Sequence, residues 1–240
     1  MLPLFYQSVE LIDSNKHASL GVSLNQDQFS FAAATNIVPV VINEITFAMA
    51  HYPLVFILEE GATVPALVAL VGNGDGKNQF VSDTGAWRAH TYIPAWVRRY
   101  PFILVNQNAE SPNAALAFDP TSNLLSEQHP VKLIHEGQAS EALNGILEFQ
   151  RNMASSLEAT AAVAKALNEA QVLEAAGLTF NPADGQSEPQ TVSGFMVVNE
   201  AKLRALDGAA LEKLNQANAL GLAYAQLFSM KNLENLTAPV

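Results

Sequence analysis

Two prolines near the middle of the chain most constrain how this sequence can fold. Pro94 suits the first turn of a helix, where its missing N–H is not needed, and Pro101 disfavours helical geometry at Tyr100. The residues after Pro101, 102–105, are an uninterrupted apolar run of strand length. The stretch 87–105 therefore predicts a short helix that leads into a strand covered on both faces or buried in a core.

Apolar periodicity predicts the other elements. Short apolar runs between turn signals predict strands, and these runs lie at residues 54–58, 67–71, 114–118 and 195–198. The segment 139–176 lacks proline and is rich in good helix formers, so it predicts helix that ends at Gly177. A single helix of that length is unusual in a globular protein. We therefore expect a break, at Gly145 or at the Ser155-Ser156 pair.

This order of elements predicts an α+β fold. Residues 1–138 are expected to form a core around a mixed or antiparallel sheet, and residues 139–240 a mostly helical portion packed on that core as one compact domain. Asn199 and Asp207 have the side chains of helix N-caps. The helix predicted from Asp207 onward has one apolar face, which has to be covered by the core.

Two polar segments are predicted to be loops. Residues 72–77, Gly-Asn-Gly-Asp-Gly-Lys, predict a tight hairpin turn between strand 67–71 and extended structure at 80–81. They lack the spacing of a phosphate-binding loop and no convincing helix follows, so a nucleotide site is not expected there. Residues 181–193 predict a polar loop.

Charge and composition exclude several classes of function. Without cysteine the chain has no disulfide, thiolate metal site or cysteine nucleophile. A net charge of −11 opposes binding to nucleic acid. Polar residues and Pro53 interrupt the longest apolar region, 37–58, so no membrane span is predicted, and the first residues lack the basic start of a signal peptide. A soluble, cytoplasmic protein is the simplest expectation.

A set of aromatic, proline and arginine residues resembles the SapC family of bacteria. The motif comprises Pro39, Glu44, Tyr52, Pro53, Phe56, Gly76, Phe80, Trp87, Tyr92, Pro94, Arg98, Arg99, Tyr100, Pro101 and Phe102. Weaker similarity continues through Gly194, Phe195, Asn199, Glu200, Tyr224 and Ser229, so the resemblance covers nearly the whole chain. The family takes its name from a gene associated with a surface array, and the resemblance supplies no catalytic residues. A peptide-transporter permease bears the same name, and the lack of a predicted span argues against that identity.

The stretch 87–105 also contains the candidate binding residues. Arginine binds carboxylates through two parallel hydrogen bonds and stacks on aromatic rings, so this stretch predicts a pocket for an acidic or peptide-like ligand. We expect Trp87, Tyr92 and one of Arg98 and Arg99 to line it, with Glu44 orienting the arginine. One helical turn cannot aim both arginines the same way. The alternative is a structural network in which the tryptophans are core residues and the arginines bond strand ends or Glu44.

The function that these observations favour is a non-catalytic binding or accessory protein for a peptide-like or acidic ligand or a protein partner. One alternative is an enzyme in which Glu44 or His90 acts as acid or base beside the arginines on a small acidic or peptide substrate. Another is a structural protein of a surface layer, which would need an export route. No cofactor is expected, and no metal is expected either, because His129, His135 and Glu136 lack the spacing of a helical zinc site. The oligomeric state stays open.

Overall fold

A computed structural model of the chain describes residues 2–23, 27–106, 114–180 and 190–236. The strands are β1 Glu10–Leu11, β2 Gly21–Val22, β3 Ile37–Pro39, β4 Leu54–Ile57, β5 Ala66–Leu70, β6 Phe102–Asn106, β7 Ala114–Phe118, β8 Leu125–Ser126, β9 Val131–Lys132, β10 Ile134–His135, β11 Gln138–Ala139, β12 Leu173–Phe180 and β13 Gln190–Val198. The helices are α1 Ile45–His51, α2 Ala95–Arg98, α3 Glu141–Glu169, α4 Glu200–Arg204, α5 Gly208–Gln216 and α6 Ala219–Ser229. Short 3₁₀ segments cover Ser30–Ala32, Ile42–Glu44 and Met230–Leu236.

The main sheet is antiparallel, with strand order β12-β13-β4-β5-β3. Its middle strands, β4 and β5, are buried along nearly their whole length, which explains why both read as continuous apolar runs. The described chain is an α+β mix with more strand in its first half and more helix in its second, as predicted. The sheet nevertheless takes strands from both sides of residue 139, because the hairpin β12-β13 pairs with β4.

A second sheet, of order β1-β7-β6, contains the strand predicted after Pro101. β6 lies at the edge of this sheet, and only Phe102 among its residues is buried. The expectation of a strand covered on both faces was therefore wrong. An apolar run alone does not distinguish an edge strand from a central one, because neighbouring strands come from distant parts of the chain.

Helix α3 joins the two sheets, because its two ends belong to different apolar clusters. Leu143, near its start, packs with Phe102 and Phe118, whereas Val163 and Leu167 pack on the main sheet. The helix is unbroken over 29 residues, so the predicted break was wrong.

Neither predicted break site interrupts α3. Ser156 Oγ donates to the Asn152 carbonyl at 2.8 Å and stays inside the helix. The helix ends near Gln171, which has the left-handed φ of 55°, whereas Gly177 lies inside β12.

The C-terminal helices pack on the core. Asp207 caps α5 through Ala210 N, and Leu222 and Ala223 of α6 are buried. A single helix from Asp207 was wrong, since Asn218 has φ 56° and separates α5 from α6. Across the described ranges, no helix has both the length and the apolarity that crossing a membrane requires.

The two predicted loops differ from expectation. β5 has β4 and β3 on its two sides, so no edge remains for a hairpin partner at residues 80–81. The glycine-rich loop instead folds around Asn36, whose Oδ1 accepts hydrogen bonds from the Gly74 and Gly76 amides at 3.2 Å each. Of the loop predicted at 181–193, residues 181–189 lie outside the described ranges and residues 190–193 begin β13.

Candidate functional site

The buried carboxylate of Glu44 fixes the position of helix α2. Glu44 is 4% exposed, and its Oε1 accepts from Val41 N at 2.9 Å within its own 3₁₀ turn. Its Oε2 accepts from Ala95 N at 2.7 Å and from the Tyr92 hydroxyl at 2.8 Å. Ala95 begins α2 directly after Pro94, so Glu44 satisfies a backbone N–H that the helix itself leaves unpaired.

Arg98 is held beside this carboxylate through Tyr92 and not through a direct ion pair. Its Nη2 donates to the Tyr92 hydroxyl at 2.9 Å and its Nε donates to the Ile93 carbonyl at 3.0 Å. The guanidinium also lies 5.5 Å from the Tyr92 ring and 5.4 Å from the Phe149 ring. A guanidinium has five N–H groups, so three remain without a partner in the described part of the chain.

Arg98 and Tyr92 line an apolar cavity of about 510 Å³, called the large cavity below to distinguish it from a smaller cavity beside Arg99. Its wall comprises Val22, Ser23, Gln28, Phe29, Phe31, Thr91, Tyr92, Ile93, Val97, Arg98, Tyr100, Pro101, Phe102, Leu124 and Ile146. Two depressions of larger volume, about 620 and 740 Å³, are lined mostly by polar residues. The cavity at Arg98 is therefore the one with the apolar lining and few polar groups that are typical of a small-molecule site.

Gln28 adds a polar group with an unpaired acceptor to the wall of this cavity. Its Oε1 is buried and accepts no hydrogen bond from the residues that the structure describes. A buried acceptor without a partner is uncommon in folded proteins, because it has lost its water without gaining a bond. Together, Arg98 supplies donors and Gln28 supplies an acceptor within one apolar cavity.

Arg99 occupies a different environment from Arg98. It is 5% exposed, its guanidinium carbon lies 3.6 Å from the centre of the Trp96 ring, and it does not line the large cavity. Burial lowers the pKa of Arg99, and the neighbouring Tyr6 hydroxyl opposes that shift. Only Arg98 lines the large cavity, whereas both arginines line a further cavity of about 370 Å³ together with Phe149 and Gln150.

Trp87 belongs to the core network and does not line the large cavity. Its Nε1 donates to the Tyr52 hydroxyl at 3.2 Å, and its ring packs on Phe29 at 5.6 Å. The Tyr52 hydroxyl in turn donates to the Tyr92 carbonyl. Trp87 thus helps to hold the Tyr92 backbone through the Tyr52 hydroxyl. Of the five predicted site residues, the structure brings together Glu44, Tyr92 and Arg98.

The hydroxyl of Tyr92 stays protonated over the ordinary pH range. Burial, with the charge of Glu44 as the next cause, raises the pKa of Tyr92 to about 12. Burial also raises the pKa of Tyr52, although its hydrogen bond from Trp87 opposes the shift. Both hydroxyls can therefore act as permanent donors that fix the loop before α2.

Sequence reasoning did not predict most of the residues of the cavity wall. Gln28, Phe29, Phe31 and Ile146 lie far from α2 in the chain, and their approach depends on the fold. The closely spaced Phe29 and Phe31 could have indicated an aromatic wall, but an alternating pair of this kind is also typical of an ordinary strand. In the structure, Ser30–Ala32 forms a 3₁₀ turn instead.

The groups suggested for catalysis are not assembled at the cavity. His90 is exposed, with φ 60°, and is not part of the wall. Glu44 has hydrogen bonds on both oxygens and does not line the cavity either. Within the described ranges, no group of three or more His, Asp and Glu side chains is placed to hold a metal ion.

Fold and site together define an α+β protein with an apolar, ligand-sized cavity that carries one arginine. The family model named SapC matches residues 12–236, and the chain therefore belongs to the SapC family. Comparison with curated proteins and with solved structures finds no match.

Proposed function

We propose that this chain is a non-catalytic binding protein for a peptide-like acid with an apolar body, bound in the cavity at Arg98. The observation that carries the proposal is the arginine on a mostly apolar wall. Arg98 takes part in none of the ion pairs of the described residues. Its charge is therefore available to a ligand, although the chain as a whole carries −11.

Each part of the cavity corresponds to one part of such a ligand. The three remaining N–H groups of Arg98 can bind a carboxylate through two parallel hydrogen bonds. The free Oε1 of Gln28 can accept from an amide N–H. Phe29, Phe31 and Ile146 would surround the apolar body, which supplies most of the binding free energy.

The contacts behind Arg98 prepare it for binding. Tyr92 and the Ile93 carbonyl hold the guanidinium before a ligand arrives, and Glu44 holds Tyr92. A preorganised side chain loses less conformational entropy on binding than a mobile one. Glu44 would thus be a positioning residue, as expected from the sequence, although it acts through a hydroxyl.

Thermal denaturation with matched ligands tests this proposal. N-acetyl-leucine has the carboxylate, the amide and an apolar side chain, whereas N-acetyl-leucine amide has no charge. At a hundred times its Kd, a ligand stabilises the native state by about 2.7 kcal/mol. For a chain of this size, that raises Tm by roughly 5 to 10 °C.

The informative variant is Arg98→Gln, and Arg151→Gln is its control. Arg151 is exposed on α3 and does not line the cavity, so both variants lose one positive charge. The acid should stabilise the wild type and Arg151→Gln clearly more than Arg98→Gln, and the neutral amide should stabilise all three by the same smaller amount. Equal stabilisation by acid and amide, or no loss in Arg98→Gln, contradicts the proposal.

A free acylated amino acid and the C-terminus of a partner protein share this chemistry. A ten-residue peptide that ends in leucine separates the two sources. Tighter binding of the peptide than of N-acetyl-leucine indicates a protein partner, and weaker binding indicates a free small molecule.

A further inference from the structure

A second, smaller cavity lies on the other side of α2, between this helix, β6 and α3. Its volume is about 270 Å³. Arg99 and Trp96 contribute from α2, Ile103 and Leu104 from β6, and Met153 and Leu157 from α3. Arg98 does not line this smaller cavity. Ligand binding there is therefore independent of the function proposed above.

Arg99 is a buried charge without a counter-charge in the described part of the chain. It is 5% exposed and takes part in none of the ion pairs described. A guanidinium keeps its proton at any pH at which proteins fold, so burial cannot neutralise it. Stacking on Trp96 at 3.6 Å and a contact with the Tyr6 hydroxyl offset only part of the loss of water.

Two hydrogen-bond donors of side chains that line this cavity also lack acceptors in the described part of the chain. Arg99 Nε and Trp96 Nε1 are both buried, and neither has a hydrogen-bond partner within residues 2–23, 27–106, 114–180 and 190–236. Buried donors of this kind are nearly always paired in folded proteins. The side chains of Arg99 and Trp96 line the same cavity. One bound anion would accept hydrogen bonds from both and would balance the charge of Arg99.

We propose that this cavity is a binding site for a small organic carboxylate with a short apolar tail. The carboxylate accepts from the Arg99 guanidinium and from Trp96 Nε1. The tail lies against Ile103, Leu104 and Leu157, which an inorganic anion would leave without a contact. A volume of about 270 Å³ limits the ligand to a few carbon atoms beyond the carboxylate.

Isothermal titration calorimetry with sodium butyrate tests this site, with butyramide as the neutral ligand of the same shape. The Arg99→Gln variant removes the charge, and Ala154→Trp blocks the cavity while keeping Arg99. Ala154 lines the cavity and is exposed, so the larger side chain can be accommodated without disturbing the core. Arg98→Gln serves as the control for the large cavity.

Butyrate should bind saturably to the wild type and to Arg98→Gln, and at least tenfold more weakly to Arg99→Gln and to Ala154→Trp. If Arg99→Gln does not fold, Ala154→Trp still decides the question. The proposal is overturned if butyramide binds as tightly as butyrate, if butyrate does not bind, or if Ala154→Trp binds it unchanged. Loss of binding in Arg98→Gln alone would place the carboxylate at Arg98 and would also overturn it.

Discussion

Replacing Glu44 with glutamine should destabilise the whole protein, because this carboxylate accepts three hydrogen bonds in a buried position. The donors are Val41 N, Ala95 N and the Tyr92 hydroxyl, at 2.9, 2.7 and 2.8 Å. Glutamine has nearly the same shape but offers only one oxygen. Its amide nitrogen must face at least one of these donors, whichever way the side chain is turned.

The least damaging orientation keeps the oxygen toward Ala95 and Tyr92. The Val41 N–H then faces an NH₂ group and is left buried without an acceptor, which costs about 1 to 3 kcal/mol. The two remaining hydrogen bonds change from charge-assisted to neutral, and each loses roughly 1 kcal/mol. We therefore expect Glu44→Gln to lower the free energy of unfolding by about 3 to 5 kcal/mol.

Urea unfolding followed by tryptophan fluorescence measures this change, because Trp87 and Trp96 lie near the affected helix. Glu158→Gln is the matched control: Glu158 is exposed on α3 and takes part in none of the ion pairs described. The control makes the same change in net charge and should alter stability by less than about 0.5 kcal/mol. The denaturant slope m should not change in either variant.

A Glu44→Gln variant as stable as its control would refute the reasoning. That result would mean that the three donors find other acceptors, or water, when the carboxylate is removed. The position of α2 would then not depend on Glu44, and the preorganisation proposed for Arg98 would lose its support.

Three further predictions concern Tyr92, Asp119 and Gln226. The pKa of Tyr92 in the folded state, about 12, lies above its ordinary value of 10.0, so its contribution to stability is present below pH 10 and lost as pH rises toward 12. Tyr92→Phe should reduce the loss of stability in that window, measured by urea unfolding at several pH values. Burial alone would raise the pKa of Asp119, but hydrogen bonds to its carboxylate lower it below 3.8, so its contribution is present above pH 3.8 and lost as pH falls through the folded-state pKa. Asp119→Asn should therefore flatten the acid limb of the stability profile, and an unchanged limb would contradict this account. Gln226, fully buried in α6, accepts from Val198 N at 2.9 Å and donates to the Leu54 carbonyl at 3.1 Å. Gln226→Leu leaves both groups unpaired and should cost about 2 to 5 kcal/mol in urea unfolding, whereas a loss below 1 kcal/mol would show that this tie between β13 and β4 is not needed.

Local signals in the sequence predicted the elements whose cause is local. Asn199 and Asp207 cap α4 and α5 as expected, because a cap needs only a side-chain oxygen and a backbone N–H three residues away. The strands β4, β5 and β7 were also predicted, since their apolar runs are bounded by turn residues. The failures were of a different kind. The break in α3 was expected from helix length, which is a statistical tendency and not a force acting on this helix.

The arrangement of the site depended on contacts between distant parts of the chain. Glu44 reaches Ala95 across 51 residues, and Gln150 Nε2 donates to the Arg99 carbonyl across another 51. Sequence reasoning placed Glu44 near the arginines because a buried carboxylate needs partners, but it could not choose among the possible donors.

The sequence by itself determined that the chain forms an α+β protein and that a short helix follows Pro94. These conclusions rest on backbone geometry and hydrophobic periodicity, which act over a few residues. Only the tertiary structure decided that Arg98 enters a large cavity while Arg99 stacks on Trp96 beside a smaller one. The physical reason is that a cavity is the space left between elements, and its position depends on how α2, α3 and the sheets pack against one another.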